Sequence, residues 1–166
     1  MKITLTKVKY AKFASEETHC FDAIVCLDGV PSIEASNDGR GGNTFLHDLP
    51  NKDGSVDKLE AYAATLPKKV CDWMVNTLNK DEPFSYEQDA ESLVNDALEA
   101  HLLEKELKTK LRKATFFTIP SKQGVYKLPI AWGTEASQYL FKKYGGLATI
   151  LNAIPFEQAV KLYAQV

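Results

Sequence analysis

Arginine is nearly missing from this chain: Arg40 and Arg112 are the only two in 166 residues. Cysteine is scarce as well. Cys20, Cys26 and Cys71 form no CxxC pair, and an odd number of thiols fits a reducing, cytoplasmic setting better than a disulfide framework. No apolar run approaches the ~20 residues that a membrane span needs. The alternating start Met-Lys-Ile-Thr-Leu-Thr-Lys does not read as a signal peptide, so no membrane partner is expected. Catalytic signatures are absent too. There is no phosphate-loop pattern ending in Lys-Ser/Thr, no GxGxxG opening a helix in a βαβ unit, and no GxSxG elbow. His19, Cys20, His47, Asp48, Cys71 and His101 stand at no recognised ligand spacing. Neither metal nor cofactor is therefore expected, and the reading leans away from an enzyme. The formal net charge of -2 argues against binding nucleic acid by bulk phosphate neutralisation.

What is present is ordinary for a folded protein, with 45% hydrophobic and 25% charged residues. The length suits one domain able to bury a core without staples. Charge is spread unevenly. From Asp81 to Glu106 nine acids face a single base, Lys105. Beyond Lys113 the balance reverses, with Lys122, Lys127, Lys142, Lys143 and Lys161 against Glu135 and Glu157.

Periodicity predicts a single α+β domain over residues 1–166. Residues 1–50 read as an antiparallel meander and a glycine-rich loop, 53–113 as helical cover, and 114–166 as a second hairpin with short helices. Phe21, Ala23, Val25 and Leu27 share one face of a strand over 19–28. Ile3 and Leu5 oppose Val8 and Tyr10 in parity, which predicts a bulge near Thr6-Lys7. Asp28-Gly29 makes a tight turn, and Pro31 suggests that the next strand, 32–36, begins at an edge.

A first helix is expected from Ser55 to Leu66. A second opens at Pro67, burying Val70, Trp73, Met74 and Leu78, with a linker over 79–86. The longest helix runs from Asp89 to about Lys113, with Leu93, Ala97, Ala100, Leu107 and Leu111 on one stripe. Glu104 near that stripe reads as the place where the helix leaves the core. Residues 114–119 and 125–130 pair as the second hairpin, which would extend the first sheet. Thr134 and Pro155 open the last two helices.

Two sets of residues stand out as candidate binding surfaces. The first is Asn37, Asp38, Gly39, Arg40, Gly41, Gly42 and Asn43, with His47 just beyond. Successive amides in such a loop can nest a phosphate or carboxylate, with Arg40 closing over it. Equally, the glycines can serve only to let the chain turn. The second is an acidic interaction face of Glu87, Glu91, Asp96, Glu99 and Glu106, which can engage a basic partner or simply be a solvated helix face. The basic C-terminal third holds Phe116, Phe117, Tyr126, Trp132, Tyr139 and Phe141. Those rings can stack on single-stranded nucleic acid, although periodicity puts most of them in the core.

Ser15-Glu16-Glu17-Thr18-His19-Cys20-Phe21, followed by the hairpin and Ser36-Asn37-Asp38-Gly39-Arg40-Gly41-Gly42, resembles a family of small proteins of phages and mobile elements. The similarity runs on through Tyr62-Ala63-Ala64-Thr65-Leu66-Pro67 to the long helix and the Val125-Tyr126 strand. The resemblance implies a setting and transfers no site. Accessory proteins of mobile elements often bind and block a host protein or a defence complex, so it implies a non-enzymatic interaction module whose partner is a host or defence protein. Two alternatives stand beside it: a nucleotide- or phosphate-binding domain using the glycine loop and Arg40, and a nucleic-acid-binding protein.

Overall fold

The computed structural model describes residues 1–71 and 83–165. It has the α+β make-up that the patterning implies, and the chain falls into two compact units, Met1–Glu99 and Ala100–Val166.

In the first unit, β1 (Ile3–Tyr10), β2 (Cys20–Leu27), β3 (Val30–Asp38) and β4 (Phe45–Asp48) form an antiparallel sheet in chain order. Phe21, Ala23 and Val25 of β2 lie opposite Asn37, Ala35 and Ile33 of β3. All six are buried, so this face carries the core. The parity conflict in β1 resolves as expected. Its register slips between Thr6 and Lys9, and Lys7 takes φ 52°. Asp28 and Gly29, at φ 51° and 84°, close a two-residue hairpin whose twist suits the strands.

The meander does not stop at the glycine segment, because Ser36–Asp38 finish β3 and the chain then returns as a fourth strand, β4. That return makes β3 an interior strand over Ile33 to Ser36, while its start at Pro31 has only β2 beside it, as the proline implies. Proline is tolerated there because β4 pairs only with Ile33 to Ser36, and the last bond on that side goes from the Leu49 amide to Ser32 O at 2.9 Å.

The cover begins with α1 (Ser55–Ala63), which packs on β3 and β4 through fully buried Leu59 and Ala63. Its free amides are met from β4. Asp48 accepts from Gly54 N at 2.6 Å and from Val56 N at 2.8 Å.

No helix opens at Pro67. Lys69–Cys71 is instead a strand, β5, pairing with β6 (Phe84–Tyr86), and Val70 is exposed. Proline drives the residue before it out of helical geometry, and Gln88 Nε2 holds Pro67 O at 2.8 Å. The expected linker thus ends in a strand, while Trp73, Met74 and Leu78 lie outside the described residues.

The long helix α2 (Ala90–Lys113) matches its expected bounds. Asp89 caps it, with Ser92 N donating to Asp89 Oδ1 at 2.7 Å, while Ala90 N donates to Glu60 Oε2 at 2.6 Å. One continuous stripe does not describe it. The first unit takes Leu93, Val94 and Leu98 and the second takes Leu107, whereas Ala100 is exposed. Glu104 lies at the surface and pairs with Lys108 at 3.8 Å.

The second unit has a sheet of its own, ordered β8-β7-β9, so its hairpin does not extend the first sheet. β7 (Thr115–Ile119) and β8 (Lys122–Leu128) turn through Pro120-Ser121, and β9 (Thr149–Ile150) joins the far side of β7. α3 (Thr134–Tyr144) stops at Gly145, whose φ is 59°, and α4 (Phe156–Tyr163) follows Pro155. Phe116 packs with Leu107, Ala114, Leu151 and Ala159, while Phe117 packs with Ile119 and Leu140.

Asn152 ties this unit together. Its Nδ2 donates to Leu111 O at 2.8 Å and Ala114 O at 3.0 Å, and its Oδ1 accepts from Phe116 N at 2.8 Å. It satisfies carbonyls that the end of α2 leaves open. Asn152→Ala should therefore cost about 2 kcal/mol in urea unfolding. A loss under about 0.5 kcal/mol, the level of an ordinary surface change, would show that solvent replaces those bonds freely.

Candidate functional site

The glycine segment is organised by Asn37. Its amide is buried, and each of its polar atoms is used twice. Oδ1 accepts from Thr18 Oγ1 and from Gly39 N, both at 2.8 Å. Nδ2 donates to Gly42 O at 2.9 Å and to Thr44 Oγ1 at 3.3 Å. Thr44 carries the network onward, its hydroxyl to Asn95 Oδ1 at 3.0 Å and its amide to Glu91 Oε1 at 2.7 Å. One side chain thus pins both arms of the loop, and Thr44 pins the loop to α2.

A nest of amides does exist here, but it belongs to the neighbouring segment and its occupant is the chain itself. The amides of Glu16, Glu17 and Thr18 all point at Gly39 O, at 2.9, 3.0 and 3.3 Å. Three of the loop's own amides are also engaged. Gly39 N meets Asn37 Oδ1, Arg40 N meets Asp38 Oδ1 at 3.1 Å, and Gly41 N meets Thr18 Oγ1 at 3.3 Å. Gly39 sits at φ 85°, where its carbonyl reaches that nest, and Gly41 at φ 88°. Asp38, Arg40, Gly41, Gly42 and Asn43 are exposed. So is His47, which lies opposite Glu34 across β3 and β4. Among the described residues the Arg40 guanidinium has no ion-pair partner.

The acidic set does not form one face. Glu87 precedes α2 and pairs with Lys68 at 2.9 Å. Asp96 holds Lys69, and that hydrogen bond raises the Lys69 pKa above its ordinary value, against the desolvation that lowers it. Glu91 is committed to the Thr44 amide. Glu106 belongs to the second unit, where Lys110 and Tyr163 engage it; the Glu106 hydrogen bond, then that of Tyr163, raises the Lys110 pKa. Only Glu99 of the five stands exposed with no salt bridge among the described residues.

What the fold does create is a cleft of about 450 Å³ in the first unit. One wall is Glu91, Asn95 and Glu99, spaced at i, i+4 and i+8 on α2; the other is the segment from Lys12 to His19. Asn37 forms part of its lining, so the two candidate sets meet at one place. Glu16, Glu17, Glu91 and Glu99 line it against the single cation Lys12. Tyr10 and His19 cross edge to face within it at 5.5 Å. The sequence did not single out Tyr10, Lys12, Glu16, Glu17 or Asn95 as site residues. The run Ser15-Glu16-Glu17-Thr18-His19 carried the only signal.

Beside the cleft stands Phe13, 95% exposed on a short 3-10 turn, Lys12–Ala14. The turn is braced rather than loose. Ser15 Oγ donates to Ala11 O at 3.0 Å and accepts from Cys20 N at 2.9 Å. Among the described residues no cluster of three or more His, Cys, Asp or Glu side chains could hold a metal ion, and no helix is long and apolar enough to cross a membrane. Comparison with family models, with curated proteins and with solved structures finds no match for this chain.

Proposed function

We propose that this chain is a non-enzymatic interaction module whose first unit docks on a basic protein surface. A phage or mobile-element accessory protein that blocks a host defence complex is the setting the sequence resemblance suggests. The observation that carries the reading is Phe13, a fully exposed ring on a braced turn between two residues, Lys12 and Ser15, that line an acidic cleft. An aromatic anchor beside charges of one sign is the make-up of an interface hot spot: the ring fills a pocket on the partner and the charges select it. Residues 1–99 hold eighteen acids and ten bases, a formal charge of -8, so a basic partner is favoured at long range as well. Docking is favoured over phosphate capture because the amides of Gly39, Arg40 and Gly41 already donate within the chain, and the cleft's carboxylates would repel an anion.

The test is capture from nuclease-treated host lysate on immobilised full-length chain. The wild type should retain a stoichiometric protein partner, released by high salt. Phe13→Asp, and separately the pair Glu16→Lys with Glu17→Lys, should reduce retention at least about tenfold. Both changes fall on exposed positions and should leave the melting temperature unchanged. Equal recovery by wild type and variants, or no stoichiometric partner at all, would sink the proposal.

A further inference from the structure

The second unit has the opposite electrostatic character. Residues 100–166 hold ten bases and four acids, a formal charge of +6. Of the six rings that periodicity places mostly in the core, only half are there: Phe116 and Phe117 are core and Tyr126 is half-buried against it, whereas Trp132, Tyr139 and Phe141 are 37%, 45% and 69% exposed. Tyr139 and Phe141 lie on α3, whose aliphatic residues Ala136 and Leu140 are turned inward and buried. At 100° per residue the exposed residues Phe141, Lys142, Tyr139 and Lys143 follow one another in that angular order over about 200° of the helix circumference, so Lys142 separates the two rings. The Lys143 ammonium lies 5.6 Å from the Tyr139 ring centre and donates to its hydroxyl at 3.3 Å.

We propose that the outward side of α3, with Trp132 just before it, binds single-stranded nucleic acid. Unpaired bases stack on Trp132, Tyr139 and Phe141, and backbone phosphates pair with Lys142 and Lys143. Each ring offers a flat face that any base can cover, and the alternation of ring and ammonium matches the alternation of base and phosphate along a strand. A duplex hides its base faces, leaving the exposed rings without partners. An anionic membrane is a poorer fit. A helix lying in a lipid surface needs a continuous apolar strip turned outward, and α3 has spent its strip on the core. This inference rests on the second unit alone and stands independently of the docking proposed for the first.

Fluorescence anisotropy with a labelled thymidine oligonucleotide of about 20 nucleotides, long enough for one such site, tests it on the full chain. The strand should bind at low salt, with affinity falling linearly in log salt. Lys142→Ala with Lys143→Ala should flatten that slope by about 1.4, or ~0.7 for each phosphate left unpaired. Phe141→Ala and Trp132→Ala should each weaken binding about tenfold while leaving the salt slope and the melting temperature unchanged. Phe13→Asp should have no effect, which separates this site from the docking surface. Absent binding overturns the proposal, as does equal binding to a duplex of the same sequence that survives Phe141→Ala. Binding to phosphatidylserine vesicles but not to the oligonucleotide would overturn it in favour of a membrane.

Discussion

Gly39→Ala should destabilise the protein by about 3 kcal/mol, which for a chain of this size lowers the melting temperature by about 10 °C. Two costs combine. Gly39 sits at φ 85°, where a side chain is strained. A Cβ there would also stand 2.2 Å from Ala14 O and 2.8 Å from Cys20 Cβ. Neither neighbour is the tip of a flexible side chain. Ala14 belongs to the braced turn, and Cys20 opens β2. Nor can Gly39 retreat, because its carbonyl is held by three amides and its own amide by Asn37. Gly42→Ala is the control. Nothing lies within 4 Å of a Cβ at that position, so it should stay within about 0.5 kcal/mol of wild type. Gly41→Ala should fall between them: its φ is 88°, but the nearest atom is the mobile Glu17 carboxylate at 2.2 Å. Thermal unfolding of the three variants gives the order. If Gly39→Ala were as stable as Gly42→Ala, the tight approach to the Ala14 turn would not be part of the folded protein.

The same loop shows how far the sequence could be read. Period-two alternation in β2, the parity conflict in β1, the Asp28-Gly29 turn and the long helical run of α2 are local signals, and each corresponds to an observed element. The missed strands are short ones whose identity depends on the strand they pair with. β4 spans four residues and β9 two, too short for any periodicity to register. They exist because β3 and β7 present open edges to them. β5 reads as helix in the sequence because Val70 fits either period, and the pairing of Lys69 with Tyr86 and of Val70 with Ser85 makes it a strand. The candidate site failed to show for a similar reason. Arg40 drew notice by being rare, yet its guanidinium is exposed and makes no ion pair among the described residues. Asn37, which organises the loop, looks in sequence like any turn asparagine. Its role rests on Thr18 and Thr44, and through Thr44 on Asn95 of α2. A polar side chain that works by satisfying partners from three segments leaves no pattern on a single one of them.

Asn37→Asp should produce a protein whose stability deficit depends on pH, and the sign follows from the geometry. The exchange preserves shape and keeps the oxygen that accepts from Thr18 Oγ1 and Gly39 N. It replaces the Nδ2 donor, which points at Gly42 O 2.9 Å away, with a second oxygen. Ionised, that oxygen faces a carbonyl at hydrogen-bond distance in a buried position, an unfavourable contact of about 3 kcal/mol. Protonated, it can donate to Gly42 O much as the amide does. Burial and the facing carbonyl both disfavour the charged form, so the introduced carboxyl should have a folded-state pKa above its unfolded value of about 3.9. A group raised in this way contributes its stability below the unfolded pKa and loses it as pH rises through the folded pKa. The deficit relative to wild type should therefore be small near about pH 3.5 and grow to its full size by about pH 7, the interval that such a shift spans. Asn37→Leu, which can neither donate nor accept, should lose about 3 kcal/mol at both pH values and serves as the flat reference. Urea unfolding of both variants and the wild type at the two pH values decides the question. A deficit for Asn37→Asp that stays constant across this range would mean that Gly42 O and the introduced carboxyl do not face each other, and that the loop is held by something other than Asn37.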